Sequence, residues 1–213
     1  MADEIKVILF DLGRVLVDFD HNRAAERISF FCSKTPQQIY DLFFQSQATI
    51  DFEAGKITPK DFYLQVKDML DLNLSFNSFT PIWNDIFFLS PTNRLIYRLA
   101  NTLRANYKTA LLSNINTLHY EYLKKHFPVF GVFDEIFLSF ELELIKPDKK
   151  IYEKVIQELK VSAQEIFYID DRQELVESAS SLGIRGCTFV NFAQLMNDLV
   201  SAGINPSDDK NIN

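Results

Sequence analysis

Basic residues are the minority charge in this 213-residue chain: 22 Lys and Arg stand against 29 Asp and Glu, for a formal net charge of −7 and a pI near 5.0. Nucleic-acid binding rests on clustered cations that neutralise phosphates, so this balance argues against a polyanionic partner and for small solutes or basic partners. Cysteine is scarce as well. Cys32 and Cys187 are far apart in the chain, which fits a reducing compartment rather than a disulfide framework and offers no paired spacing for a thiolate metal site. No apolar run approaches the roughly 20 residues that a membrane-spanning helix needs, and the opening Met1-Ala2-Asp3-Glu4 lacks the basic and apolar regions of a secretory leader. Together these absences predict a cytoplasmic protein with no membrane contact; a monomer or weak dimer is expected, on no signal in the sequence.

What is present begins with 47% hydrophobic content, enough for one full core and a subdomain. The run Val7-Ile8-Leu9-Phe10 ends abruptly in Asp11-Leu12-Gly13. A short apolar run closed by a turn signal reads as a strand buried on both faces, as in parallel sheets. Asp11 then stands at a strand's carboxyl end, the edge where open α/β sheets bind ligands.

Beyond it, residues 13–20 read as a flap or hairpin, with a helix starting near Asp20-His21-Asn22. From there to about Leu89 no strand is predicted. Thr35-Pro36 and Thr58-Pro59 each set a capping hydroxyl before a proline suited to the first helical position. After the second, Phe62, Val66, Met69 and Leu70 share one helical face. More than half of the 20 phenylalanines precede Ser90, together with Trp83, so this segment reads as a small helical bundle packed by aromatics.

Ser90-Pro91 repeats the capping signal and opens a helix carrying Leu95, Ile96, Leu99 and Leu103. Strand and helix then alternate. Buried-strand candidates are Lys108 to Leu112, ending at Ser113-Asn114, then Glu135 to Leu138, leading to Lys146-Pro147-Asp148, and Ile166 to Ile169, running into Asp170-Asp171. The helix after this last strand carries Leu175, Ala179 and Leu182. Arg185 to Val190, a helix through Leu199 and a polar tail expected to be disordered complete the chain. Alternation of this kind implies a parallel sheet with right-handed crossovers, in which all strand ends fall on one edge. Asp11, Ser113, Lys146 and Asp170-Asp171 are therefore expected to converge.

Phe10-Asp11-Leu12-Gly13-Arg14-Val15, Leu112-Ser113-Asn114, Lys146-Pro147 and Ile169-Asp170-Asp171, in that order, resemble the four motifs of the haloacid dehalogenase superfamily. The intervening segment resembles its α-helical type-1 cap. Within that superfamily the chain is similar to bacterial sugar-1-phosphate phosphatases and to the N-terminal phosphatase-like domain of soluble epoxide hydrolases. The resemblance implies a Rossmann-like parallel-sheet core over residues 1–17 and 90–204, a helical cap over 18–89 and a tail over 205–213. It also implies a Mg²⁺-dependent phosphatase acting on a small phosphorylated metabolite, a sugar phosphate among the candidates.

A phosphate monoester is doubly anionic, so charge must be neutralised before Asp11 attacks as nucleophile and forms an aspartyl-phosphate. Mg²⁺ prefers oxygen ligands, which Asp11, the Gly13 carbonyl and Asp171 would supply, with Asp170 supporting. Lys146 and Ser113 would hold phosphoryl oxygens, with backbone N–H groups of Leu12, Gly13 and Asn114 taking up the rest. Two positions depart from the family pattern. Gly13 stands where most members carry an aspartate that protonates the leaving group, with His21, Asp18, Asp20 and Arg14 as substitutes to weigh. Leu175 stands where Asn or Asp usually supports the metal, with Glu174 as a compensating candidate. His119 and His126 read as surface residues. Two other classes stay open: a metal-independent 2-haloacid dehalogenase, against which the Asp170-Asp171 pair counts, and a catalytically silent domain that binds a phosphorylated ligand or a protein.

Overall fold

The computed structural model describes residues 4–206, with the side chains of residues 43–45 outside the description. The expected tail therefore lies, from residue 207 onward, outside the described residues. A parallel sheet of five strands in the order β5-β4-β1-β6-β7 forms the centre: β1 (Val7–Phe10), β4 (Lys108–Ser113), β5 (Glu135–Leu138), β6 (Ile166–Asp170) and β7 (Arg185–Thr188). Every side chain of β1 is buried, as its unbroken apolar run requires when both faces are covered.

Alternation along the strands sends neighbours to opposite faces. Ile8, Phe10, Leu111 and Ile169 pack with Ile96, Leu99, Leu195 and Leu199, which come from α6 (Pro91–Leu103) and α11 (Phe192–Ser201). Val7, Leu9, Leu112 and Tyr168 pack with Ile151, Val155 and Ala179, from α9 (Lys149–Leu159) and α10 (Gln173–Ser180). Each fully buried aliphatic or aromatic side chain contributes about 1.5–3 kcal/mol of hydrophobic burial.

Between β1 and α6 the chain forms α1 (His21–Ser29), α2 (Pro36–Gln45), α3 (Gln47–Glu53), α4 (Pro59–Leu70) and α5 (Phe76–Asn84). The capping signals act as the sequence predicts. Thr35, Thr58 and Ser90 each form a reciprocal capping box with the residue three positions on, with proline in the first turn. These helices enclose a core of their own, built on Ile28, Phe52, Phe62, Phe79 and Trp83, with Phe52 stacked on Phe62 at 4.5 Å.

Four expectations are corrected. A strand does occur before Leu89: β3 (Phe87–Phe88) pairs antiparallel with β2 (Asp18–Phe19). Two-residue strands carry no readable periodicity. Met69, expected on the buried face of α4, is 37% exposed, and Leu95 on α6 is 40% exposed, each lying at the margin of its helix's apolar stripe. Leu182 falls beyond the end of α10 and packs from the following turn against the second core.

The helical segment docks on the sheet domain through a close approach. Gly55 has φ +69°, and a Cβ there would lie 2.2 Å from the Phe140 carbonyl oxygen, in α8 (Ser139–Leu142). Beside it the buried Ser139 hydroxyl donates to the Glu53 carbonyl at 2.5 Å and accepts from the Ile115 N–H at 3.0 Å. No described helix is long and apolar enough to cross a membrane.

Candidate active site

The parallel register explains how distant residues meet. Phe10 is level with Leu111 and Ile169, and the Asp11 N–H donates to the Ile169 carbonyl at 2.8 Å. Asp11 therefore follows the sheet's edge at the height of Asp170. By period two, Leu9 and Asp11 share a face, as do Tyr168 and Asp170. On that face lies Lys146, delivered by the loop between α8 and α9.

The Lys146 Nζ donates to Asp11 Oδ1 at 2.7 Å, Asp170 Oδ2 at 2.7 Å, the Tyr168 hydroxyl at 2.9 Å and the Leu112 carbonyl at 3.2 Å. Four acceptors surround three protons, so one bond is shared. Tyr168 in turn donates to Asp170 Oδ2, and the Arg172 N–H donates to Asp170 Oδ1 at 2.9 Å. Both oxygens of Asp170 are thus engaged, while those of Asp171 stand nearer the cavity. The carboxylates of Asp11, Asp170 and Asp171 can each present an oxygen within 4.8 Å of the others.

Charge at this edge is out of balance. Burial raises the Asp11 carboxyl from its ordinary value to about 7, with Lys146 pulling down and Asp170 pushing up. Burial also raises Asp171, and the neighbouring Asp170 adds to the effect. Burial disfavours the Lys146 ammonium, yet the attraction of Asp11 and Asp170 outweighs it and holds the group above its ordinary range. Three carboxylates around one ammonium leave a deficit of positive charge, and hard oxygen donors gathered this closely suit a divalent cation such as Mg²⁺.

A cavity of about 650 Å³ opens in front of these groups, its floor formed by Asp11, Gly13, Ser113, Lys146 and Asp171. Ser113 lies at the end of β4 and is buried. Asn114 does more than the sequence suggests: its side chain donates to the Lys146 carbonyl and accepts from the Lys146 N–H, both at 2.9 Å, clamping the lysine loop. Leu12 sends its side chain into the first core, so only its main chain can face the cavity.

Glu174 and the residues weighed as substitutes for an acid at Gly13 take structural places. Glu174 pairs with Arg172 at 2.7 Å and is not part of the carboxylate group, so it does not compensate for Leu175, which lines the cavity as an apolar wall. Asp20 is the cap of α1, accepting from the Asn22 N–H at 3.0 Å, and Asp18 lies in β2. The Arg14 guanidinium sits 4.9 Å over the Phe19 ring and, always charged, is a poor proton donor. His21 lines the cavity, but burial pushes its imidazole down to about 4. At Gly13 a Cβ would lie 2.9 Å from Phe19 Cε1, so the ring fills the space that a longer side chain would enter.

His119, expected at the surface, is 6% exposed and stacks on Trp83 at 4.9 Å. Its Nε2 faces the Trp83 carbonyl at 3.2 Å, an acceptor only, so the neutral ring carries its proton there and Nδ1 accepts from the Asn116 amide at 3.1 Å. Burial pushes this imidazole down to about 3. Its folded value lies below its unfolded one, so its contribution is intact above about 6.5 and is lost as pH falls toward 3. We expect unfolding in urea to cost about 2 kcal/mol less at pH 5 than at pH 7.5 on this account. His119→Phe, which keeps the stack, should remove this contribution from the pH dependence; an unchanged slope in the variant would contradict it.

Two residues of the site escaped the sequence. Tyr168 had a signal: a phenol inside an apolar strand must find a buried partner. Glu53, at the end of α3, lines the same cavity from the helical segment, one helical turn after Thr49. Burial pushes its carboxyl up to about 7, with Arg172 and Lys146 pulling the other way.

A family model described as haloacid dehalogenase-like hydrolase matches residues 5–183. The chain is 26% identical over 185 residues to a D-ribitol-5-phosphate phosphatase of Bacteroides thetaiotaomicron, covering 84% of this chain and 89% of that one. It is 28% identical over 188 residues to a sesquiterpene phosphatase of Aspergillus oryzae, covering 87% and 90%. Among solved structures, a haloacid dehalogenase family enzyme of Bacteroides thetaiotaomicron in complex with magnesium and inorganic phosphate superposes with a TM-score of 0.77. It is 30% identical, over 88% of this chain and 95% of that one. With most of its length matched by the family model, this chain belongs to the haloacid dehalogenase-like hydrolases.

Proposed function

We propose that this protein is a Mg²⁺-dependent phosphatase that hydrolyses a small phosphorylated metabolite, a sugar or polyol phosphate among the candidates, through an aspartyl-phosphate on Asp11. The observation that carries this reading is the carboxylate trio around a buried ammonium at the floor of an open cavity. The phosphatase relatives and the magnesium and phosphate complex of a similar enzyme support it.

Mg²⁺, held by Asp11, the Gly13 carbonyl and Asp171, would neutralise the phosphate dianion and orient it. In this reading Asp11 attacks phosphorus with the oxygen that Lys146 does not hold. Lys146 favours the ionised form of the nucleophile and offsets charge on the transferring group. Asp170 holds Lys146 in place, and the Ser113 hydroxyl and main-chain N–H groups of Leu12, Gly13 and Asn114 would receive phosphoryl oxygens. The helical segment 18–89 would act as a cap that excludes water and selects the leaving group. We assign the protein to the cytoplasm, in keeping with its free cysteines, and expect a monomer or weak dimer.

Hydrolysis of p-nitrophenyl phosphate tests the proposal. Turnover is expected to vanish on chelation and to return with millimolar Mg²⁺. Turnover that survives chelation would defeat it and favour metal-independent chemistry. No turnover on a broad panel of phosphate esters would favour the silent domain.

A further inference from the structure

We infer that Glu53, carried by α3 across the cavity from Asp11, is the acid and base of the reaction, giving its proton to the leaving oxygen and later taking one from water. This rests on the phosphatase reading above. An alkoxide is a poor leaving group, so the oxygen departing from phosphorus needs a proton from a group inside the cavity. Gly13 has no side chain to give. Phe19 closes the space above it, 2.9 Å from where a Cβ would stand. Its ring is held by the edge of His21 at 4.9 Å and by the Arg14 guanidinium at 4.9 Å. The donor must therefore come from elsewhere on the wall.

The other titratable groups that line this cavity have other places. Lys146 is committed to Asp11 and Asp170 and is held in its charged form. The guanidinium groups of Arg14 and Arg172 do not release protons at neutral pH, and Arg172 is paired with Glu174. Burial pushes His21 down to about 4 and His119 to about 3, so both rings are neutral. The proton on neutral His119 points to the Trp83 carbonyl. Asp11 and Asp171 are committed to nucleophile and metal. Tyr40 also lines the wall.

Glu53 differs from all of these. Its main chain is pinned: its carbonyl accepts from Ser139 at 2.5 Å, and Gly55 sits two residues on against the Phe140 carbonyl. The helix end is thereby fixed relative to the sheet edge. Thr49, Ile50 and Glu53, at helical spacing, face the cavity together. Burial raises the carboxyl to about 7, so near neutral pH both the acid and its conjugate base are populated.

An Asp11 oxygen forms a bond to phosphorus while the bond from phosphorus to the ester oxygen breaks. The electron pair goes to that oxygen, which takes the Glu53 proton and leaves as an alcohol. Water then attacks the phosphorus of the aspartyl-phosphate, giving its proton to the Glu53 carboxylate, and the bond to Asp11 breaks to release inorganic phosphate.

Glu53→Gln in the full chain with Mg²⁺ tests this, by rapid-mixing kinetics on two esters. With p-nitrophenyl phosphate, whose leaving group needs no proton, one equivalent of p-nitrophenolate is expected at the wild-type rate, followed by slow turnover. With D-ribitol 5-phosphate, kcat should fall about 10²–10⁴-fold with KM little changed. The wild-type decline in kcat above about pH 7 on this ester should be absent in the variant. An equal loss of the first turnover on both esters, no loss on either, or a change in KM alone would overturn the inference. If wild type forms no p-nitrophenolate at all, the phosphatase reading itself fails.

Discussion

Asp11→Asn should lower Mg²⁺-dependent turnover of p-nitrophenyl phosphate by about 10⁴-fold or more, the scale of losing a covalent nucleophile. The substitution is nearly isosteric. The amide oxygen can still accept from the Lys146 Nζ, which now stands 2.7 Å from Asp11 Oδ1, so the buried ammonium keeps a partner. Folding should suffer little, because burial already raises this carboxyl to about 7 and the neutral amide avoids the desolvation of a charge. The variant should melt within a few degrees of wild type, and acid quenching should trap no phosphorylated protein. Retention of more than about 1% of activity, beyond the residual rate that binding and electrostatics alone support, would mean that another group attacks phosphorus.

Lys146→Ala should be damaging in a different way, to both stability and catalysis. The ammonium is almost wholly buried against Asp11 and Asp170, and removing one member of a buried ionic cluster leaves uncompensated charge at about 3–5 kcal/mol. The loss also frees the Tyr168 hydroxyl and the Leu112 carbonyl from a donor. Activity should fall by about 10²–10³-fold, the usual effect of removing one fixed electrostatic contact to the reacting group. Urea unfolding in chelator and kcat/KM in Mg²⁺ measure the two effects separately. His21→Ala, at a residue with a lesser role, should lose less activity than Lys146→Ala. The reverse order would mean that the phosphate sits against the helical segment rather than the sheet edge.

The central strands were readable because a strand buried on both faces is apolar through its middle, as Val7 to Phe10, Ala110 to Leu112 and Ile166 to Ile169 are. The helix starts at Pro36, Pro59 and Pro91 were readable because capping is local chemistry within four residues. Topology did the remaining work: parallel strands joined by helices put their carboxyl ends on one edge, which brought Asp11, Ser113, Lys146 and Asp170-Asp171 into one list before any distance was known. The ribbon of β2 and β3, the exposure of Met69 and Leu95 and the burial of His119 were not readable in this way. Each depends on which neighbour covers a residue, and neighbours distant in sequence leave no periodic trace.

Local and periodic physics thus determined, from the chain alone, the α/β architecture, the starts of the helices at Pro36, Pro59 and Pro91 and the acidic and basic residues of the sheet edge. Tertiary packing decided the rest: the clamp of Asn114 on Lys146, the hydroxyl of Tyr168 between lysine and carboxylate, and the arrival of Glu53 in the cavity that Asp11 lines. These three depend on the docking of separate segments, and at Glu53 that docking includes the Ser139 bond to its carbonyl and the close approach of Gly55 to Phe140. A side chain's partner across a docked surface is set by shape and desolvation, which a linear pattern of residue types does not encode.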